Sequence, residues 1–191
     1  WAEREAAKSI VENNIFGLDI DDRAGQLAYF AVMMKSRKYN RRILSGDVIP
    51  NIMAIQDSSE IDSELIKFIA NGNMKMQKEL IDIKSVLADA KEYGSILAVL
   101  ECDFESIKQR IEDVREMDMS DIITGIHIQN AVNVLLPIVK QSQIMAQKYD
   151  IIITNPPYMG AGGMSGKLSE YVKSKYPDSK SDMYAIFIEK C

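Results

Sequence analysis

The spacing of hydrophobic residues changes character along this chain, and the changes divide it into blocks. Residues 1–12 carry apolar positions at helical intervals, and Asn13-Asn14 ends that helix before Ile15-Phe16-Gly17-Leu18-Asp19-Ile20-Asp21, an apolar run that finishes in acids and predicts a strand. From Asp22 to about Lys38, Ala24, Leu27, Ala28, Ala31 and Val32 return at helical spacing, with Asp21 or Asp22 placed to cap the helix. After a turn at Ser45-Gly46-Asp47, residues Val48 to Asp57 predict a second strand, with Pro50 near its start and Ser58 and Ser59 suited to cap the next helix. From Ile61 to Gln147 the pattern is that of long helices, Met74 to Lys91 and Ile128 to Gln147 among them, with one short apolar run from Ile96 to Leu100. A connection from strand to helix takes far fewer residues, so 61–147 is expected to be a helical insertion between sheet strands, its Met and Leu positions forming a core.

The next stretch, Tyr149 to Tyr158, changes pattern again. Ile151, Ile152 and Ile153 are consecutive β-branched residues and predict a short strand buried on both faces. Pro156 and Pro157 have no N–H and fix φ, so pairing must stop there, and Asn155 and Tyr158 are placed on a stiff corner beyond the strand's carboxyl end. Open α/β sheets bind ligands at such ends. The corner offers an amide oxygen, a main-chain carbonyl outside any ladder and a flat aromatic face, which together suit a planar amine. Met159 to Gly166 is then a glycine-rich loop, followed by a lysine-rich segment and a last helix starting near Ser181-Asp182.

Composition narrows this picture only in part. With 191 residues, 47% of them hydrophobic and 27% charged, the chain has the size of one ordinary α/β domain and can bury a core. A formal net charge of −5 argues against a uniformly basic nucleic-acid surface and leaves room for a local patch. Lys167, Lys173, Lys175 and Lys180 lie around Tyr171 and Tyr176, as a solvated face or as contacts to phosphate. His127 is the only histidine and is read as structural, and Cys102 and Cys191 lack metal-ligand spacing, so no metal site is expected. With no signal segment and no long apolar run, a reducing cytoplasm without membrane contact is expected. Trp1-Ala2-Glu3 opens within a helical pattern and Tyr184 to Cys191 closes within another, so residues 1–191 read as a fragment of a larger domain.

Asp19 and Asp57 stand at the ends of the two predicted strands, where an acid either accepts hydrogen bonds from a ribose or is merely solvated; Asp103 is a rival. The loop spacing G-x-G-G-x-x-G from Gly160 follows a Pro-Pro corner, whereas a nucleotide-binding loop turns directly from strand into helix, so a mobile lid is the better reading.

Asn155-Pro156-Pro157-Tyr158, following Gly17-Leu18-Asp19-Ile20-Asp21, resembles the motif of DNA methyltransferases that act on amino groups. Longer stretches, Asn14 to Ala24, Tyr149 to Gly160 and Lys180 to Phe187, are similar to adenine-specific methyltransferases of the PglX type from phage-defence (BREX) systems and to restriction-modification methylase subunits. The resemblance implies a partial Rossmann-like core with a helical insertion, S-adenosylmethionine as cofactor, and double-stranded DNA with a flipped-out adenine as substrate. By position it gives Asn155 and Pro156 the hydrogen bonds to the adenine amine, with Pro157 in the same motif and Tyr158 stacking on the base. Asp19 then falls on the cofactor ribose, Ile20 on its adenine ring, and Asp57, preceded by Gln56, on the adenine amine. The family's first motif, a strand and glycine loop for the methionine part of the cofactor, is not among these residues, so the fragment alone is expected to be inactive. Asn-Pro-Pro-Tyr also occurs in methyltransferases that modify protein glutamine or RNA guanine, and a non-catalytic module docking other restriction or defence subunits is a further alternative.

Overall fold

The computed structural model describes residues 2–45, 48–117 and 121–191; Trp1, of the first predicted helix, and Gly46-Asp47, of a predicted turn, lie outside them. Helix α1, Glu3–Asn13, buries Ala7 and Val11. Strand β1, Phe16–Asp19, leads through Asp21 into α2, Asp22–Arg37. Asp21 is the cap: its carboxylate accepts the N–H groups of Arg23 and Ala24 at 2.7 and 3.1 Å, satisfying donors that the first helical turn leaves open. Strand β2, Asn51–Ala54, returns parallel to β1, with Phe16 opposite Asn51 and Asp19 opposite Ala54. Gly25 allows the crossover helix its close approach, since a Cβ there would lie 3.1 Å from the Ala54 nitrogen. The second strand is shorter than Val48 to Asp57, because Pro50 cannot donate to a ladder and Ile55 already turns into a core where it is 1% exposed.

The long middle block is helical: α3 (Ser63–Ala70), α4 (Met74–Val86), α5 (Ala90–Tyr93), α6 (Phe104–Arg115), α7 (Ile122–Asn130) and α8 (Leu136–Ala146). Asp62, not Ser58 or Ser59, caps α3 by accepting the Leu65 N–H at 2.7 Å. Ser58 is instead buried, its hydroxyl donating to the Lys84 carbonyl at 2.6 Å. The predicted helix from Met74 to Lys91 breaks after Val86, and the Ile96 to Leu100 run forms a short turn and an irregular segment. Helices α7 and α8 join through a π-helical stretch, Ala131–Leu135. Pro137 explains the widening: it has no N–H for the Asn133 carbonyl and its ring crowds that oxygen. Residues 122–146 thus make one helical rod of 25 residues, long and apolar enough to cross a membrane, which corrects the reading of no long apolar run. One face of it, with Ile128, Ala131, Leu135, Ile138 and Val139, is buried with Leu65, Leu80 and Ile111 in the main core.

A second core joins the C-terminal part to this block. Helix α9, Gly166–Lys175, capped by Ser165, and α10, Met183–Lys190, capped by Asp182, close over Ile96 with Leu168, Val172, Tyr176 and Ile186. The Tyr176 hydroxyl donates to the Ile96 carbonyl at 2.6 Å. Burial of its ring pushes the Tyr176 phenol up to about 12, so it stays a donor.

The architecture is therefore mixed α/β and mostly helical, with a sheet of two parallel strands among the described residues. The predicted strand at Ile151 to Ile153 is corrected: these residues form no ladder, and Ile151 and Ile153 are 80% and 93% exposed. A strand buried on both faces needs paired neighbours and covering layers, and no described strand runs beside this one.

Candidate functional site

Parallel pairing brings the carboxyl ends of β1 and β2 side by side, and with them Asp19, Ile20, Gln56 and Asp57. Asp19 is exposed, and one of its oxygens accepts the Asp21 N–H at 2.9 Å, a local turn that fixes the carboxylate while leaving its other oxygen without a donor among the described residues. Ile20 is 54% exposed. Its side chain meets Gly94, whose φ of +61° and lack of a Cβ permit the contact, since an added Cβ would fall 3.1 Å from Ile20 Cγ2.

The second strand end is held from several sides. The Gln56 side chain donates to Asp22 at 2.8 Å, and Asp22 pairs with the Lys91 ammonium at 2.9 Å. Lys91, and then Gln56, hold the Asp22 carboxyl below its usual range. The Lys91 main-chain N–H donates to Asp57 at 2.8 Å, leaving the second Asp57 oxygen without a described donor. Gln141 reaches over from α8 and bonds the main chain of Gln56 through both ends of its amide. Asp22 was legible in the sequence only as a cap candidate. Lys91 and Gln141 carry no local signal, because their bonds to Asp22 and Gln56 span 69 and 85 residues.

The Pro-Pro corner is built differently. Tyr149 anchors its approach: the hydroxyl donates to the Ile144 carbonyl at 2.9 Å and the ring lies 5.3 Å from that of Phe16. Burial raises the Tyr149 phenol to about 12. Pro156 is buried, while Asn155 and Pro157 are exposed and Tyr158 is 95% exposed. The Met159 N–H donates to the Pro157 carbonyl at 2.9 Å, a three-residue turn that throws the Tyr158 ring outward. Immediately beyond, the Met159 carbonyl accepts the Met183 N–H at 3.0 Å, so the corner is tethered to the start of α10. No hydrogen bond among the described residues joins Asn155 or Tyr158 to Asp19 or Asp57.

The glycine loop is pinned rather than free-hanging: Gly160 pairs with Asp182, and the Ala161 N–H donates to the Ser181 carbonyl at 2.9 Å. Of the lysines, Lys167 is engaged with Asp89 at 2.7 Å, which raises its pKa. Lys173 and Lys175 are exposed in the last turn of α9, where positive charge complements the helix dipole. Asp103 caps α6 and is held low by Ser106, which takes it away from the strand ends. His127 stacks on Phe68 with ring centroids 5.0 Å apart. An open pocket of about 420 Å³ borders Asp22, Gly25, Tyr29 and Gln56 along β2, and Asp19 and Asp57 do not line it.

Comparison with known proteins adds what this geometry alone does not give. Residues 13–191 match the model of the Eco57I restriction-modification methylase family. The chain is 36% identical over 210 aligned positions to the adenine-specific methyltransferase BrxX of Escherichia coli O9:H4 (strain HS), covering 99% of this chain and 17% of that protein. It is 35% identical over 196 positions to the adenine-specific methyltransferase PglX of Lacticaseibacillus casei (strain Zhang), covering all of this chain and 16% of that protein. The match runs from the strand that ends in Asp19 through the Pro-Pro corner to the last helix, and the chain belongs to the Eco57I restriction-modification methylase family.

Proposed function

We propose that this chain carries the cofactor edge and the base-holding corner of a cytoplasmic adenine-N6 DNA methyltransferase used in phage defence or restriction-modification. Its core is Rossmann-like, and residues 61–147 are a helical insertion within it. The reading is supported by the exposed Asn155-Pro156-Pro157-Tyr158 corner in a chain 36% identical to an adenine-specific methyltransferase. S-adenosylmethionine, the donor that this reading implies, supplies an electrophilic methyl group when bound. The residues present fit its nucleoside half: Asp19 and Asp57 each have an oxygen with no donor among the described residues, open to a hydroxyl or amine, and Ile20 offers exposed apolar surface beside them.

At the corner, the Asn155 amide oxygen and the Pro156 carbonyl accept the two N–H bonds of the adenine amine. That arrangement draws the nitrogen's lone pair out of the ring's conjugation and leaves it available for methylation. Tyr158 stacks on the base once it leaves the duplex, a contact of about 1–3 kcal/mol by comparison with aromatic platforms for single strands. Lys173 and Lys175, with Lys167 when it leaves Asp89, supply contacts to phosphate.

The test is Asn155→Ala in the protein expressed from its complete gene, with transfer of labelled methyl to DNA as the readout. Loss of at least about 100-fold in rate is expected, the scale on which a preorganised polar group acts. Unchanged methylation of adenine would remove the role assigned to Asn155. Label found in protein or RNA, and none in DNA, would overturn the substrate.

A further inference from the structure

Gln141 sits within α8 at 1% exposure, on the face that also buries Ile138 and Ile144. An amide in such surroundings is costly unless its donor and acceptor are both satisfied. Its neighbour Ser142, 0% exposed, solves the problem inside the helix by donating to the Ile138 carbonyl at 2.8 Å. Gln141 instead reaches outside: its Oε1 accepts the Gln56 N–H at 2.7 Å and its Nε2 donates to the Gln56 carbonyl at 3.1 Å. A neighbouring strand would offer this same pair of partners. The carboxamide therefore extends the pairing of β2 past its last bond to β1, from the Ile55 N–H to the Asp19 carbonyl at 2.7 Å. The residue so clamped directly precedes Asp57, whose carboxylate is fixed on one side by the Lys91 N–H.

We propose that Gln141 is a positioning residue for cofactor binding, acting through the main chain of Gln56 to aim the open oxygen of Asp57 at the cofactor's adenine amine. The proposal rests on the assignment of Asp57 to the cofactor made above. It gives the helical block a role in the site. A shift of α8 changes the direction of an acceptor at the strand end, so the affinity for S-adenosylmethionine depends on the packing of a helix that does not touch it.

The experiment is a double-mutant cycle in the protein expressed from its complete gene, with Asp57→Ala, Gln141→Leu and the pair. KM for S-adenosylmethionine and kcat are measured at saturating DNA, and binding of labelled S-adenosylmethionine by equilibrium dialysis. Each single change is expected to raise KM about tenfold, the loss of a hydrogen bond made to a charged group, with kcat retained. The double variant should be no worse than Asp57→Ala. Gln141→Glu, which keeps the acceptor for the Gln56 N–H and lacks the donor, replaces Gln141→Leu in the cycle if that variant does not fold, and the same non-additivity is expected. Multiplying effects on KM, or a fall in kcat at constant KM, would overturn the proposal while leaving the role of Asp57 intact. An unchanged KM in Asp57→Ala would overturn that assignment and the proposal with it.

Discussion

The cofactor edge and the base corner belong to one proposed site, yet they are held in opposite ways. At the ends of β1 and β2, Gln56, Asp22, Lys91 and Asp57 form a chain of hydrogen bonds, and Gln141 ties it to the buried face of α8. At the corner, Ile151 and Ile153 face solvent, and order comes from flanking tethers, Tyr149 on one side and Met159 on the other. The difference separates two sources of rigidity. The edge is fixed by hydrogen bonds that span 69 and 85 residues, whereas the corner joins two flanking tethers to a local stiffness, since Pro156 and Pro157 restrict φ between them.

The largest expected contrast lies in stability. Ile111 is 0% exposed in the helical core, and Ile111→Ala should cost about 2–5 kcal/mol in chemical unfolding, from lost burial and the cavity left behind. Ile153→Ala should change stability by less than about 0.5 kcal/mol, as an exposed substitution does. Equal losses in the two variants would break the comparison, because Ile153 would then have to be packed.

A smaller contrast uses glycines. Gly25→Val places a branched side chain where a Cβ is already 3.1 Å from the Ala54 nitrogen and 3.4 Å from its Cα, and neither backbone atom can turn away. A loss of about 1–3 kcal/mol is expected from the overpacked helix-to-strand contact. Gly162, in the loop after the corner, has nothing within 4 Å of an added Cβ, and Gly162→Ala should stay within about 0.5 kcal/mol of the parent. A tolerated Gly25→Val would show that α2 moves freely on β2, and the edge would then be no stiffer than the corner.

These two regions also divide what could be read in the sequence. The strand ending in Asp19 and the helix capped by Asp21 were legible, because a short apolar run, a capping acid and helical spacing are all local signals. Ile151 to Ile153 misled for the same reason: β-branching favours an extended backbone, but a strand is defined by neighbours that no local pattern supplies. Ser58 misled because a serine before a helix resembles a cap until its hydroxyl is seen bonded to the Lys84 carbonyl. Lys91 and Gln141 stayed invisible, since lysine and glutamine on a helix read as solvated surface until the partner, 69 or 85 residues away, is placed beside them.

The smallest expected effect tests the outermost bond of the edge. Asp22 is exposed, and its carboxyl lies below the ordinary aspartate value of 3.8 because Lys91 and Gln56 both donate to its ionised form. A depressed folded pKa means that the unfolded chain binds the proton first, so the contribution of Asp22 is present above pH 3.8 and is lost as pH falls through the folded value. Thermal unfolding followed from about pH 6 to about pH 3 should therefore show a steeper decline in the parent than in Asp22→Asn, with the gap between the two curves narrowing toward the acid end. The gap should shrink in high salt, as expected for an exposed ion pair. Parallel curves across that range would mean that the bonds of Asp22 add nothing to the edge, and its rigidity would then rest on Gln141 and on the Lys91 N–H to Asp57.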